Sequence, residues 1–155
     1  MKINITVGAK QPLSGYINVD PITKFDGLAV DIRDLDPVVN DAECTELIAV
    51  DVLDYLKKQD AISVVQSWIK KLRHNGKIVI GITDAYEVCK LFYQQRISLD
   101  DFNYLLHGAL SDAWDIKLNH MTMEIVEELM KSNGLKIMNF MSYNLGVQRI
   151  EKKTG

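Results

Sequence analysis

Cysteine is scarce in this chain of 155 residues. Only Cys44 and Cys89 occur, at no metal-ligand spacing and in no disulfide framework. No run of 18 apolar residues is present, which excludes a membrane-spanning helix of the usual kind. The start, MKINITVGAK, lacks the apolar core and small-residue cleavage site of a signal peptide, and a reducing cytoplasm is expected. Three prolines and nine glycines form no linker, and no repeat or low-complexity tract divides the sequence. A single domain over 1–155 follows, long enough to bury a core without staples.

Basic residues are also thin where they would matter for nucleic acid. Residues 19–60 hold eleven acids and four bases, a local net charge of −7 inside a chain of −3. A phosphate backbone needs lysine and arginine, and the remainder shows no basic stripe with interleaved aromatics. No nucleic-acid partner is expected. The acidic half reads either as a solvated surface or as a set of acids facing a ligand with hydroxyls, amines or a positive centre.

What is present alternates between short apolar runs and helical periods, the pattern of an α/β domain. Strands are expected at 2–7, 16–19, 28–31, 46–50 and 77–82. Ile62, Val65, Ile69 and Leu72 recur at helical spacing and predict a helix over 60–73, closed by Arg73-His74-Asn75-Gly76 with the glycine left-handed. Asp84 with Glu87 predicts a capped helix over 85–95, Ser98 one over 99–109, and Gly134 the end of one over 123–132. The tail, 135–143 and 145–152, reads as a terminal antiparallel hairpin joined at Asn144, which could supply a dimer edge or belong to the core. Only about eight residues separate the first two strands, too few for a helical crossover, so that connection is reduced to a turn.

The stretch INITVGAKQPLSGYINVD, residues 3–20, carries the most information. An apolar run reaches Gly8, where a ligand can approach the backbone. A second run stops at Asp20, an acid placed to hold ribose hydroxyls. This is the ground plan of a nucleoside-cofactor site at the carboxyl edge of a parallel sheet.

The order of these pieces resembles small class I S-adenosylmethionine-dependent methyltransferases, which open with a strand, a Gly-x-Gly turn and "pGyxNVD". Ile3–Ala9 matches the first motif, and Gly15–Asp20 the second strand and its acid. Asp31–Leu35 resembles the segment after the third strand, and Glu46–Leu56 the fourth strand with its "SHVLEHL" turn. Trp68–Ile78 parallels "wxrvLkpGGkl", and His120–Leu135 the late helix and strand. The resemblance implies a Rossmann-like methyltransferase fold, a mostly parallel sheet ending in an antiparallel hairpin. It also implies S-adenosyl-L-methionine as cofactor and methyl transfer to a small-molecule or sugar/glycan acceptor by direct displacement.

Carried over residue by residue, Gly8 lets the backbone approach the cofactor's aminocarboxypropyl tail and Asp20 accepts from the ribose hydroxyls. Asp31 and Ile32 frame the adenine, and Asp51 lies beside the methionine part and the transferred methyl. His120 is the candidate general base. Asp51 and Asp54, three apart, could form paired carboxylates, but no third ligand at suitable spacing supports a metal. Trp114, in the polar stretch Ser111–Asp115, is expected at a pocket, whereas His74 and His107 read as structural.

The chain departs from the family's pattern at two places. Lys10 stands where the second glycine would be, and Asp51, Asp54 and Tyr55 replace the His, Glu and second His of the turn. These departures support two alternatives: a catalytically inactive methyltransferase-like module serving as a binding or assembly subunit, or another nucleoside-ligand enzyme in which Lys10 contacts a phosphate.

Overall fold

Alternating apolar residues build a six-stranded sheet in the order β2-β1-β3-β4-β6-β5. The strands are β1 (Lys2–Ile5), β2 (Ile17–Val19), β3 (Cys44–Val50), β4 (Leu72–Thr83), β5 (Leu135–Ser142) and β6 (Val147–Thr154). The computed structural model describes residues 1–9, 11–111, 113–142 and 147–154, which leaves Lys10 and Asn144 outside the described residues. β1 pairs in parallel with β2 and β3, and β3 in parallel with β4. β6 runs antiparallel between β4 and β5. The expected fold, a mostly parallel sheet closed by a terminal antiparallel hairpin, is the one observed.

Four α-helices follow the expected periods: α1 (Lys58–Lys71), α2 (Ala85–Tyr93), α3 (Leu99–His107) and α4 (Met123–Ser132). Trp68 of α1 is fully buried and donates its indole N–H to the Ile32 carbonyl at 2.9 Å. Ile3, Ile5, Leu47, Ala49, Ile78, Ile80 and Ile82 pack with Val64, Val65, Val126 and Met130 in one core. No helix among the described residues is long and apolar enough to cross a membrane.

Asp84 caps α2, accepting from the Tyr86 and Glu87 amides at 2.8 and 3.3 Å. Its second oxygen accepts from the Met123 amide at 3.1 Å, so one carboxylate holds the first turns of α2 and α4 together. Asp84→Ala is expected to remove about 2–3 kcal/mol in denaturant unfolding, a lost cap plus a buried N–H left without an acceptor. A change under about 0.5 kcal/mol would mean that water replaces the carboxylate.

Two expectations are corrected. Residues 28–31 form no strand: Asp26 and Gly27, both at positive φ, turn the chain into an isolated Phe25–Leu28 bridge. Only the Val30 amide reaches β2's line, donating to the Asp20 carbonyl at 2.9 Å. α1 stops at Lys71, before the expected 73, and inside the following β4 it is Asn75 rather than Gly76 that takes the left-handed conformation. Gly76 is needed for space, because a Cβ there would lie 2.8 Å from the Arg73 carbonyl oxygen.

The β1–β2 connection contains no helix among its described residues, and neither does the β2–β3 connection. Parallel sheets ordinarily carry helices on both faces. Here the second face, with Asn4, Glu46, Ile48, Val50, Lys77 and Val79, lines an open cavity of about 510 Å³ under the loop at Gln11–Leu13.

Candidate functional site

The chain leaves β1 toward one side of the sheet and β3 toward the other. In open α/β sheets such a reversal marks the ligand crevice, outside the carboxyl ends of the two strands. Gly8 follows β1 and Asp51 follows β3, so the fold brings these two expected site residues to the crevice. Gly8 has φ +75°, a conformation that side chains with a Cβ rarely adopt. A Cβ there would lie 3.6 Å from Asp115 Oδ1 and 3.7 Å from Ile22 Cδ1, so glycine leaves a small cradle bounded by those two side chains.

Asp20, at the end of β2, has no exposed surface. Its Oδ2 accepts from the Thr6 hydroxyl at 2.7 Å and the Ala9 amide at 3.0 Å. Its Oδ1 accepts from the Ile22 and Thr23 amides at 2.8 and 2.9 Å. Four donors match the roughly four lone-pair sites of a carboxylate. Asp20 therefore ties the loop after β1 to the loop after β2.

Asp51 holds φ 55° and donates its amide to the Gly81 carbonyl at 2.9 Å. A 3₁₀ turn at Leu53–Tyr55 follows and directs Asp54 inward. Asp54 is 1% exposed, and its Oδ2 lies 3.7 Å from Lys117 Nζ and 3.4 Å from the Thr83 amide. Its Oδ1 is buried with no hydrogen-bond partner. Burial raises the Asp54 carboxyl to about 6 against the pull of Lys117, with Asp51 adding to the rise. Tyr55 is pushed up to about 12, first by burial and then by Asp51, Tyr104, Asp115 and Asp54. Asp51 and Asp54 therefore do not act as an outward-facing pair, since Asp54 is committed to the interior.

A strap between α3 and α4 closes over this edge. Gly108 starts it at φ +83°, where a Cβ would run into the Asp115 carbonyl. Lys117 anchors it, donating to the Leu105 carbonyl at 2.8 Å and to Thr83 Oγ1 at 3.2 Å. The Leu118 and Asn119 amides both donate to the Asp54 carbonyl, at 2.8 and 3.1 Å. Between these anchors, Asp115 accepts from the Ser111 hydroxyl and faces Gly8.

The remaining expected residues lie around this centre. Asp31 is exposed and pairs with Arg33 at 2.7 Å, which holds its carboxyl below the usual range. Arg33 stacks 5.2 Å from the Trp114 ring centroid. Trp114 lines a cavity of about 270 Å³ with Arg33, Tyr55, Lys57 and Asp60. Ile32 is buried in the core, its side chain without exposed surface. His120 lines a different groove, about 480 Å³ between α1 and α4, with Ile62, Met121 and Ile125. Partial burial, His107 and Lys117 together lower its pKa. No group of three metal-ligating side chains occurs among the described residues.

Sequence reasoning missed Asp115 and Lys117. The only signal for Asp115 was its place beside Trp114 in a polar stretch. Nothing local marked Lys117 as the partner of an acid 63 positions earlier.

No protein-family model matches this chain, and no curated protein matches its sequence. Solved structures do resemble it. A chain of the Haloferax volcanii complex built around the Trm112 methyltransferase activator aligns at TM-score 0.63 and 12% identity, covering 99% of this chain and 81% of that one. The Burkholderia thailandensis 1,6-didemethyltoxoflavin-N1-methyltransferase, with its substrate and S-adenosylhomocysteine bound, aligns at TM-score 0.62 and 10% identity, over 98% and 70%. A S-adenosylmethionine-dependent methyltransferase of Thermotoga maritima aligns at 0.59 and 11%, over 90% and 73%. At these identities the likeness is one of fold: the chain has the Rossmann-like methyltransferase architecture, with no helix among the described residues of its β1–β2 and β2–β3 connections.

Proposed function

We propose that this chain is a S-adenosylmethionine-dependent methyltransferase acting on a small-molecule or sugar/glycan acceptor by direct displacement. The observation that carries the reading is the reversal of chain direction between β1 and β3, with Gly8 and Asp51 after the two strand ends, on a fold otherwise shared with cofactor-holding methyltransferases. When bound, the cofactor supplies an electrophilic methyl group on a cationic sulfur.

The residues fit the methionine end of such a molecule. Gly8 offers a backbone cradle, while Asp51 and Asp115 give the crevice negative charge that favours a cation. Asp31 accepts from the Arg33 amide and guanidinium, so it would take an adenine amine only by exchanging one of these exposed donors. The ribose end fits less simply. Asp20 already accepts four hydrogen bonds, so it would hold ribose hydroxyls only by exchanging a donor such as the rotatable Thr6 hydroxyl. The cavity beside Trp114 and Tyr55 is our candidate acceptor site. Its lining of rings, Arg33, Lys57 and Asp60 suits a polar ring with hydroxyl or anionic groups. His120 lies in the separate groove between α1 and α4, so it would serve as base only for an acceptor that enters from that side; a displacement on an ionised acceptor needs mainly alignment.

Isothermal titration with S-adenosylmethionine and S-adenosylhomocysteine is the test. Micromolar binding of both is the expected result. Absence of binding would favour the second reading, an inactive methyltransferase-like assembly module, which the filled hydrogen-bonding capacity of Asp20 supports.

A further inference from the structure

We infer that Asp115, presented by the strap over Gly8, binds the ammonium group of the cofactor's amino-acid tail. This inference rests on the methyltransferase reading above and adds to it a binding residue from the far side of the crevice. The placement argues for it in three ways. Asp115 Oδ1 lies 3.6 Å from the position a Gly8 Cβ would occupy, so a ligand group seated on the Gly8 backbone meets this carboxylate. The strap is held by hydrogen bonds at its base: Lys117 to Leu105 and Thr83, and the Leu118 and Asn119 amides to the Asp54 carbonyl. Asp115 is therefore positioned by the fold, whereas a free surface acid would have to be ordered by its ligand. The carboxylate's hydrogen bond within the strap comes from the hydroxyl of Ser111, an exposed donor that a ligand ammonium can displace or join.

The tail carries one cationic and one anionic group. A carboxylate repels the anionic one, so Asp115 fixes which end of the amino-acid moiety faces the strap. The ammonium then donates to Asp115 in a charge-assisted hydrogen bond. Such a bond is one of the strong kind, and its loss weakens binding about ten- to a hundredfold.

The experiment is calorimetric titration of the full chain and of Asp115→Asn with three ligands. S-adenosylmethionine carries the ammonium and a cationic sulfur, S-adenosylhomocysteine the ammonium and a neutral sulfur, and 5′-methylthioadenosine neither cation nor tail. The inference expects Asp115→Asn to weaken the first two by a similar factor, tenfold or more, and to leave 5′-methylthioadenosine unchanged. The unchanged ligand also reports that the variant is folded, and Asp115→Ala repeats the comparison without the amide. Equal binding of S-adenosylhomocysteine by variant and parent overturns the inference. So does tighter binding by the variant, which would make Asp115 a plug over Gly8. Weakening of S-adenosylmethionine alone overturns it too, because the carboxylate would then face the sulfur. Failure of the parent protein to bind any of the three overturns the underlying cofactor reading instead.

Discussion

Asp20→Asn is expected to lower the unfolding free energy by about 3–4 kcal/mol and the melting temperature by roughly 10 °C. The carboxylate is fully buried and serves the Thr6 hydroxyl and the amides of Ala9, Ile22 and Thr23. An asparagine must place its NH₂ against one of these two pairs of donors. Turned toward Thr6 and Ala9, it lets the hydroxyl rotate to accept but leaves the Ala9 N–H without an acceptor. Turned toward Ile22 and Thr23, it leaves two amides unpaired. A shift of only 1–2 °C in thermal unfolding would show that water reaches this site. The consequence for function is practical: ligand binding lost in an Asp20 variant would report loosened loops as readily as a lost ribose contact.

Lys117→Met is expected to destabilise the protein by about 3 kcal/mol at pH 8 and by clearly less at pH 5. Lys117 is the cation beside buried Asp54, and removing one partner of a buried pair leaves the other charge uncompensated. The sign follows from Asp54. Its folded value of about 6 stands above its ordinary 3.8, so the folded protein takes up a proton before the unfolded chain does. This group disfavours folding above about pH 6, by roughly 3 kcal/mol, and that penalty disappears as pH falls through 6 toward 4. Without Lys117 the carboxyl rises further, and the penalty at neutral and alkaline pH grows. Once Asp54 is protonated, the missing cation matters little. Urea unfolding of both proteins at the two pH values checks this, because other titrating groups cancel in the difference. A pH-independent difference would assign the effect to the lysine's packing and its hydrogen bonds to Leu105 and Thr83.

The parts of this molecule that repeat along the chain were legible in its sequence. Ile3 to Val7, Tyr16 to Val19 and Lys77 to Ile82 announced strands, and Ser98, Asp84 and Gly134 marked helix ends that the structure keeps. The crevice at Gly8 and Asp51 followed from strand order. What stayed hidden depends on contacts between distant segments. Asp54 and Lys117 meet only because the strap folds back across the 3₁₀ turn, and no local period encodes that. Asp115 reaches Gly8 for the same reason. Residues 28–31 have the apolar content of a strand but follow a turn at Asp26-Gly27 that leaves Leu28 69% exposed. The short first connection implied a turn in place of its helix, and no helix was read between β2 and β3; only the strand expected there at 28–31 is missing. Lys10, the sharpest departure from the family's pattern, lies outside the described residues.

The proposed function requires a nucleoside cofactor to bind at the carboxyl edge between β1 and β3. The most direct measurement is a backbone-amide NMR titration of the full chain with S-adenosylhomocysteine. Saturable shifts are expected at Gly8, Ala9, Asp51 and Asp115, with little change along α4. No saturable shift, or shifts confined to the His120 groove between α1 and α4, would contradict it.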